Sequence, residues 1–181
     1  ARCLEMRNMP NMATGPQAMV LQLLSGIPLF RHLDQAECFE IVRILKPITH
    51  PAGTLLFQEG DPADSLIVIE RGSVDISLAS GSNDVIIATL GANEVLGELS
   101  LIDRGERSAT ATVTQSLHGY AIHVRDFDRL RDELHPAAYK LIRELSRVMY
   151  ARIRAVDERL ESILGYTKDP SAALKETEKT Q

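Results

Sequence analysis

Cysteine, long apolar runs and positive charge are all in short supply in this chain, and each shortage removes a class of protein. Two cysteines, Cys3 and Cys38, in 181 residues are too few for a four-cysteine iron–sulfur cluster, and their spacing is not that of zinc ligands. They read as free thiols of a reducing compartment, which makes the expected location cytoplasmic. No apolar run reaches the roughly 18 residues of a membrane helix, and the first residues lack the apolar core of a signal peptide, so no membrane partner is expected. The histidines at 32, 50, 118, 123 and 135 are scattered without ligand spacing. No nucleophile–base pair stands out either, so neither a metal nor an enzymatic activity is expected. Lys and Arg number 20 against 25 Asp and Glu, a net charge of −5. That balance excludes a nucleic-acid-binding face spread over the whole protein, which needs dense basic charge.

What remains is ordinary globular material: 44% hydrophobic and 25% charged residues, enough for one domain with a sizeable core and an extra helix. Residues 17–24 suggest a short helix, and Ile27-Pro28-Leu29-Phe30 an apolar corner. Asp34 can cap a helix over 35–43 with Cys38, Phe39 and Val42 on its apolar side. From Ile44 to His123 the pattern changes to short apolar runs separated by Gly, Pro, Asn and Asp: Ile44–Thr49, Thr54–Gln58, Ser65–Glu70, Ser73–Leu78, Val85–Leu90, Thr110–Thr114 and Leu117–His123. Runs of this length and spacing predict a mainly β domain with flanking helices, built as an antiparallel sandwich, roll or barrel. Glu70-Arg71-Gly72-Ser73 predicts a tight hairpin with Gly72 at positive φ. Arg125–Leu134 predicts another short helix. A long one starts at Pro136, a residue suited to a first helical turn, and runs unbroken to Leu164, about 43 Å at 1.5 Å per residue.

The most informative stretch is Gly97-Glu98-Leu99-Ser100-Leu101-Ile102, followed nine residues after the Glu by Arg107-Ser108-Ala109-Thr110. A phosphodiester needs positive charge, N–H donors and shelter from water. A short helical turn offers N–H groups with no internal partner. Gly97, without a Cβ, lets backbone approach closely. Arg107 offers a planar fork that matches phosphate oxygens, and Ser108 a hydroxyl. Glu98, an acceptor when ionised, would repel a phosphate but suits a ribose 2′-OH. The residues alone fit equally a Glu98–Arg107 salt bridge that ties two loops together.

This segment resembles the phosphate-binding cassette of the cyclic nucleotide-binding domain family, and the resemblance covers roughly residues 27–164. Pro51-Ala52-Gly53-Thr54 through Phe57, Glu59 and Gly60 resembles the family's early strand and turn, and Leu66–Gly72 with Val74 its hairpin. The resemblance implies a β-roll or jelly-roll barrel that binds a cyclic nucleotide, cAMP or cGMP, as a regulatory sensor. It implies that Glu98 accepts the ribose 2′-OH and that Arg107 pairs with the cyclic phosphate. Ser108 and the backbone near Gly97, Leu99, Ser100 and Ala109 would complete the site, and Val74, Ile87 and Val113 are candidates to line the roll. Ser108 does not choose the base: a hydroxyl after the arginine favours cGMP in the kinase branch and is compatible with cAMP in the bacterial activator branch. By likeness to the activator branch, Arg152, Val156 and Asp157 of the long helix come near the ligand. That branch carries hydroxyl residues where this chain has Val156 and Asp157. Glu106 replaces the proline common in the kinase branch and carries no assigned role. On balance cAMP is favoured.

The long helix carries two apolar stripes. One, Leu141, Leu145 and Val148, ends early. The other is a heptad pattern with Ile142, Met149, Val156 and Ile163 at d and Tyr139, Ser146, Ile153 and Leu160 at a. The second stripe predicts a parallel homodimer through this helix. The expected organisation is a disordered tail over 1–16, a nucleotide-binding roll over 17–134, a helix for covering the ligand and dimerising over 135–164, and a disordered tail over 165–181. The 17 residues after Leu164 are too few for a helix-turn-helix. The alternatives are therefore a dimeric interaction module with another effector or none, and the effector domain of a larger transcription factor, channel or enzyme.

Overall fold

The computed structural model describes residues 16–80 and 83–164, with backbone alone at Pro16, Ser80, Asn83 and at 151–164 other than Arg154. The two stretches expected as tails, 1–16 and 165–181, lie outside the described residues apart from Pro16. Contacts divide the chain into two compact units, at Leu145 and Ser146. The first unit holds helices α1 (Pro16–Gly26), α2 (Gln35–Ile44) and α3 (Val124–Asp132), and strands β1 (Leu45–His50), β2 (Leu55–Phe57), β3 (Ser65–Ser80), β4 (Asn83–Leu90), β5 (Val95–Leu96) and β6 (Thr110–His123). Helix α4, Pro136–Leu164, begins in the first unit and ends in the second.

Helix α2 starts where the sequence places it. The Asp34 carboxylate accepts from the backbone N–H of Glu37, and the Glu37 carboxylate accepts from the N–H of Asp34, a capping box. Glu37 also accepts from Lys140 Nζ of α4 at 2.6 Å, so a local cap doubles as a bond between helices. Cys38 is buried on the inner face of α2, and Phe39 and Val42 pack against the same core.

The six strands form one antiparallel sheet with β6 as its spine. Strands β1 and β2 pair along one edge of β6 and β3 along the other; β4 and β5 pair with the far edge of β3. With the main path running β1-β6-β3-β4, the roll is open rather than a closed barrel. It separates two cores. Leu66, Val68 and Ile122 join α1, α2, α3 and the start of α4 in a helical core around Phe30 and Phe127. Ile67, Ile69, Val74, Leu96, Ala111, Val113 and Leu117 fill the inside of the roll. Successive residues of Leu66–Ile69 thus serve opposite cores, and the strand reads as one continuous apolar run because both faces are covered. Each fully buried phenylalanine adds about 2–3 kcal/mol of burial.

Two expectations are corrected here. Glu70–Ser73 is not a hairpin: β3 runs straight through it, paired with β6 on both sides and interrupted only by register shifts. Gly72 has the expected positive φ, +103°, but for a different reason. A Cβ there would strike the backbone oxygen of Ser116 and come within 2.8 Å of that of Gln115. The residue marks a bulge where two long strands press together. By the same pairing, Thr110–Thr114 and Leu117–His123 are one strand, not two.

Among the described residues no helix is long and apolar enough to cross a membrane.

Candidate ligand-binding site

The site grows from the join between the two cores. Leu96 ends β5 inside the roll, and Leu101 ends a short 3-10 turn, Glu98–Leu101, inside the helical core. Gly97 connects them at φ +70°. The backbone N–H and the hydroxyl of Ser100 both turn back to Gly97 O, at 3.2 and 2.7 Å, so this small turn is internally braced. Glu98 and Ser100 are buried, while Leu99 faces outward.

The other end of the segment is clamped to the loop after β2. Arg107 N–H donates to Asp61 O at 2.7 Å, Gly60 N–H to Arg107 O at 2.9 Å, and Ala63 N–H to Gly105 O at 3.0 Å. These bonds turn the Arg107 side chain inward, where only 5% of the residue is exposed. A buried guanidinium has to find acceptors. Nη1 donates to Ser65 O at 2.8 Å, and Nη2 to Asp64 Oδ1 at 3.0 Å and Ser65 Oγ at 3.1 Å. The guanidinium lies over the Phe57 ring, 4.0 Å from its centroid. Burial pulls the Arg107 pKa below its ordinary value, and Asp64 and Asp61 push it back up.

The two ends meet. A Cβ on Gly97 would collide with Arg107 Nη1 and stand 2.7 Å from Ser65 O. Gly97 is therefore the only residue type that lets the turn lie directly on the guanidinium. Arg107 is not the salt-bridge partner of Glu98: the carboxylate it holds is Asp64's. Among the described residues Arg107 Nε is buried with no hydrogen-bond partner. A guanidinium can take an anion and a carboxylate can accept from a hydroxyl, and the segment brings both types, Arg107 and Glu98, buried at its two ends.

Ser108 is exposed and Ala109 buried at the entry to β6. Val74 and Val113 sit inside the roll. Ile87 is instead 55% exposed on β4, like Val85 and Ile86 before it, and is the extra residue of a bulge where the register against β3 slips between Ala88 and Ile86. The side chains of Arg152, Val156 and Asp157 lie outside the described residues. Asp64, Ser65 and Phe57 are the anchors of Arg107 that spacing does not reveal. They lie more than forty residues earlier in the chain, and only strand pairing brings them near.

Residues 47–133 match the model of the family described as the cyclic nucleotide-binding domain. The chain is 33% identical over 109 residues to a cyclic nucleotide-gated potassium channel of Mesorhizobium japonicum, covering 60% of this chain and 29% of the channel. It is 26% identical over 156 residues to a CRP-like cAMP-activated global transcriptional regulator of Mycobacterium tuberculosis, covering 86% of this chain and 67% of the regulator. Among solved structures, the catabolite activator protein of Thermus thermophilus superposes with a TM-score of 0.66 at 28% identity, over 75% of this chain and 62% of that one. The chain thus spans less than a third of the channel and about two thirds of the regulators.

Proposed function

Because this chain belongs to the cyclic nucleotide-binding domain family, a family of regulatory domains, we propose that it is a sensor that takes cAMP in preference to cGMP. The observation that carries the reading is the Arg107 guanidinium: buried and packed against Gly97, the residue before the buried Glu98. In this reading Arg107 pairs with the cyclic phosphate, Glu98 accepts the ribose 2′-OH, and Ser108, Ala109 and the Gly97–Ser100 backbone close the shell. The preference for cAMP is supported by the likeness to a cAMP-activated regulator. Contacts to the base by Arg152, Val156 and Asp157 are supported by the family resemblance alone.

Titration calorimetry with cAMP and cGMP tests this. Wild type should bind cAMP more tightly than cGMP. Arg107→Ala should weaken cAMP by about 2–3 kcal/mol, the size of a lost hydrogen bond to a charged group, or roughly 30- to 150-fold. 2′-Deoxy-cAMP, which needs no variant, should bind wild type less well than cAMP, and Glu98→Ala should erase that difference. Failure of wild type to bind either nucleotide at tens of micromolar overturns the proposal.

A further inference from the structure

Three residues before Arg107, the side chain of Arg104 is 70% exposed, yet its Nη2 donates to Asp128 Oδ2 on α3. Asp128 is buried, and its other oxygen accepts from Arg131 Nη2 at 2.8 Å. Arg131 is one turn away on the same helix and would serve Asp128 wherever the helix went. Arg104 is different, since it belongs to the segment between the 3-10 turn and Arg107, whose residues from Ile102 to Glu106 are all exposed. At one end of that segment Leu101 packs in the core with Val124, Phe127 and Leu130 of α3. At the other end Gly105 and Arg107 are bonded to the 61–63 loop. The Arg104–Asp128 pair is the bond that fixes the exposed middle to a helix.

We propose that this pair is a positioning latch. It sets the loop that delivers Arg107 to its anion, which makes Arg104 and Asp128 positioning residues for the site. The inference rests on the reading that Arg107 takes the phosphate. Arg104 acts through the loop and touches no ligand. If the loop holds Arg107 correctly only while latched, losing either partner weakens binding, and by linkage a bound ligand strengthens the latch.

A second explanation for any effect of Arg104 is simple attraction between its charge and an anion, and the two differ in sign at Asp128. Asp128→Asn removes a negative charge near the site. Attraction through space then predicts tighter binding, whereas the latch predicts weaker binding. Calorimetry with cAMP on the full chain should show Arg104→Gln and Asp128→Asn each weaker by about fivefold, the scale of a partly exposed ion pair. The double variant should be no weaker than the worse single, since both remove one interaction. Hydrogen exchange of ligand-free Arg104→Gln provides a readout that needs no nucleotide and no substitution of a buried residue: amides of 102–106 and 124–132 should exchange faster together. Tighter binding by Asp128→Asn, or unchanged affinity and exchange in Arg104→Gln, overturns the latch. Absence of binding by wild type overturns the nucleotide reading instead, and the exchange measurement still decides whether Arg104 holds the loop to α3.

Discussion

Gly97 occupies a place that no side chain can enter, and the cost of entering it is measurable. Gly97→Ala would combine a left-handed backbone, φ +70°, with a collision against Arg107 Nη1 and Ser65 O. We expect a loss of about 1–3 kcal/mol, the range for backbone strain at such positions, read by thermal unfolding. Under the proposed reading, nucleotide affinity should fall alongside it, because the group displaced is the one assigned to the phosphate. Tyr120 on β6 gives a pH prediction. Its pKa is raised above the ordinary 10.0, first by burial and then by the nearby Glu70. The unfolded chain therefore ionises this phenol before the folded one does. The stabilisation is whole below pH 10 and is lost as pH rises through the raised value. Tyr120→Phe should move the alkaline unfolding midpoint upward and leave the pH dependence near neutrality unchanged. At this scale the sequence was legible where partners are close along the chain. Glu98 and Arg107 lie within one fourteen-residue stretch, whereas the Asp64 and Ser65 that hold Arg107 are joined to it only through long-range pairing.

At the scale of elements, α2 shows what short-range signals deliver. Asp34 announces a helix start, and the structure pairs it with Glu37 in a capping box. Asp34→Ala should cost about 1 kcal/mol. Glu37→Ala should cost more, because it removes the reciprocal cap and leaves Lys140 Nζ without its 2.6 Å acceptor. Chemical denaturation of the two variants checks the order, and an equal loss would mean that Lys140 contributes nothing through Glu37. The strands show where such signals mislead. Glu70-Arg71-Gly72-Ser73 has the composition of a turn, and Gly72 does take positive φ, but the chain does not reverse. The same residue types serve a bulge, and only the partner strand decides between the two. The two-residue β5 escapes notice for a related reason: Val95-Leu96 is too short to alternate, and it is a strand only because Ile67 and Val68 lie opposite it.

At the scale of the molecule, helix α4 raises a question that its first half helps to frame. Ala137, Ala138, Leu141 and Leu145 are buried in the helical core, and Ile142 packs against its edge. Val148, next on the Leu141–Leu145 stripe, is exposed. Beyond it the sequence continues apolar residues at heptad spacing through Met149, Ile153, Val156, Leu160 and Ile163. These apolar positions, two heptads from Met149 to Ile163, fit a parallel seam with a second copy. We propose that the chain is a homodimer through this seam. Sedimentation equilibrium of the full chain should return twice the mass of one chain, 20.0 kDa. Leu160→Asp would place a charge at an a position of the seam, and should return a single-chain mass while leaving the roll folded by circular dichroism. A wild-type chain that sediments as a monomer at tens of micromolar, with and without cAMP, would remove the dimer and leave the heptad pattern without a role.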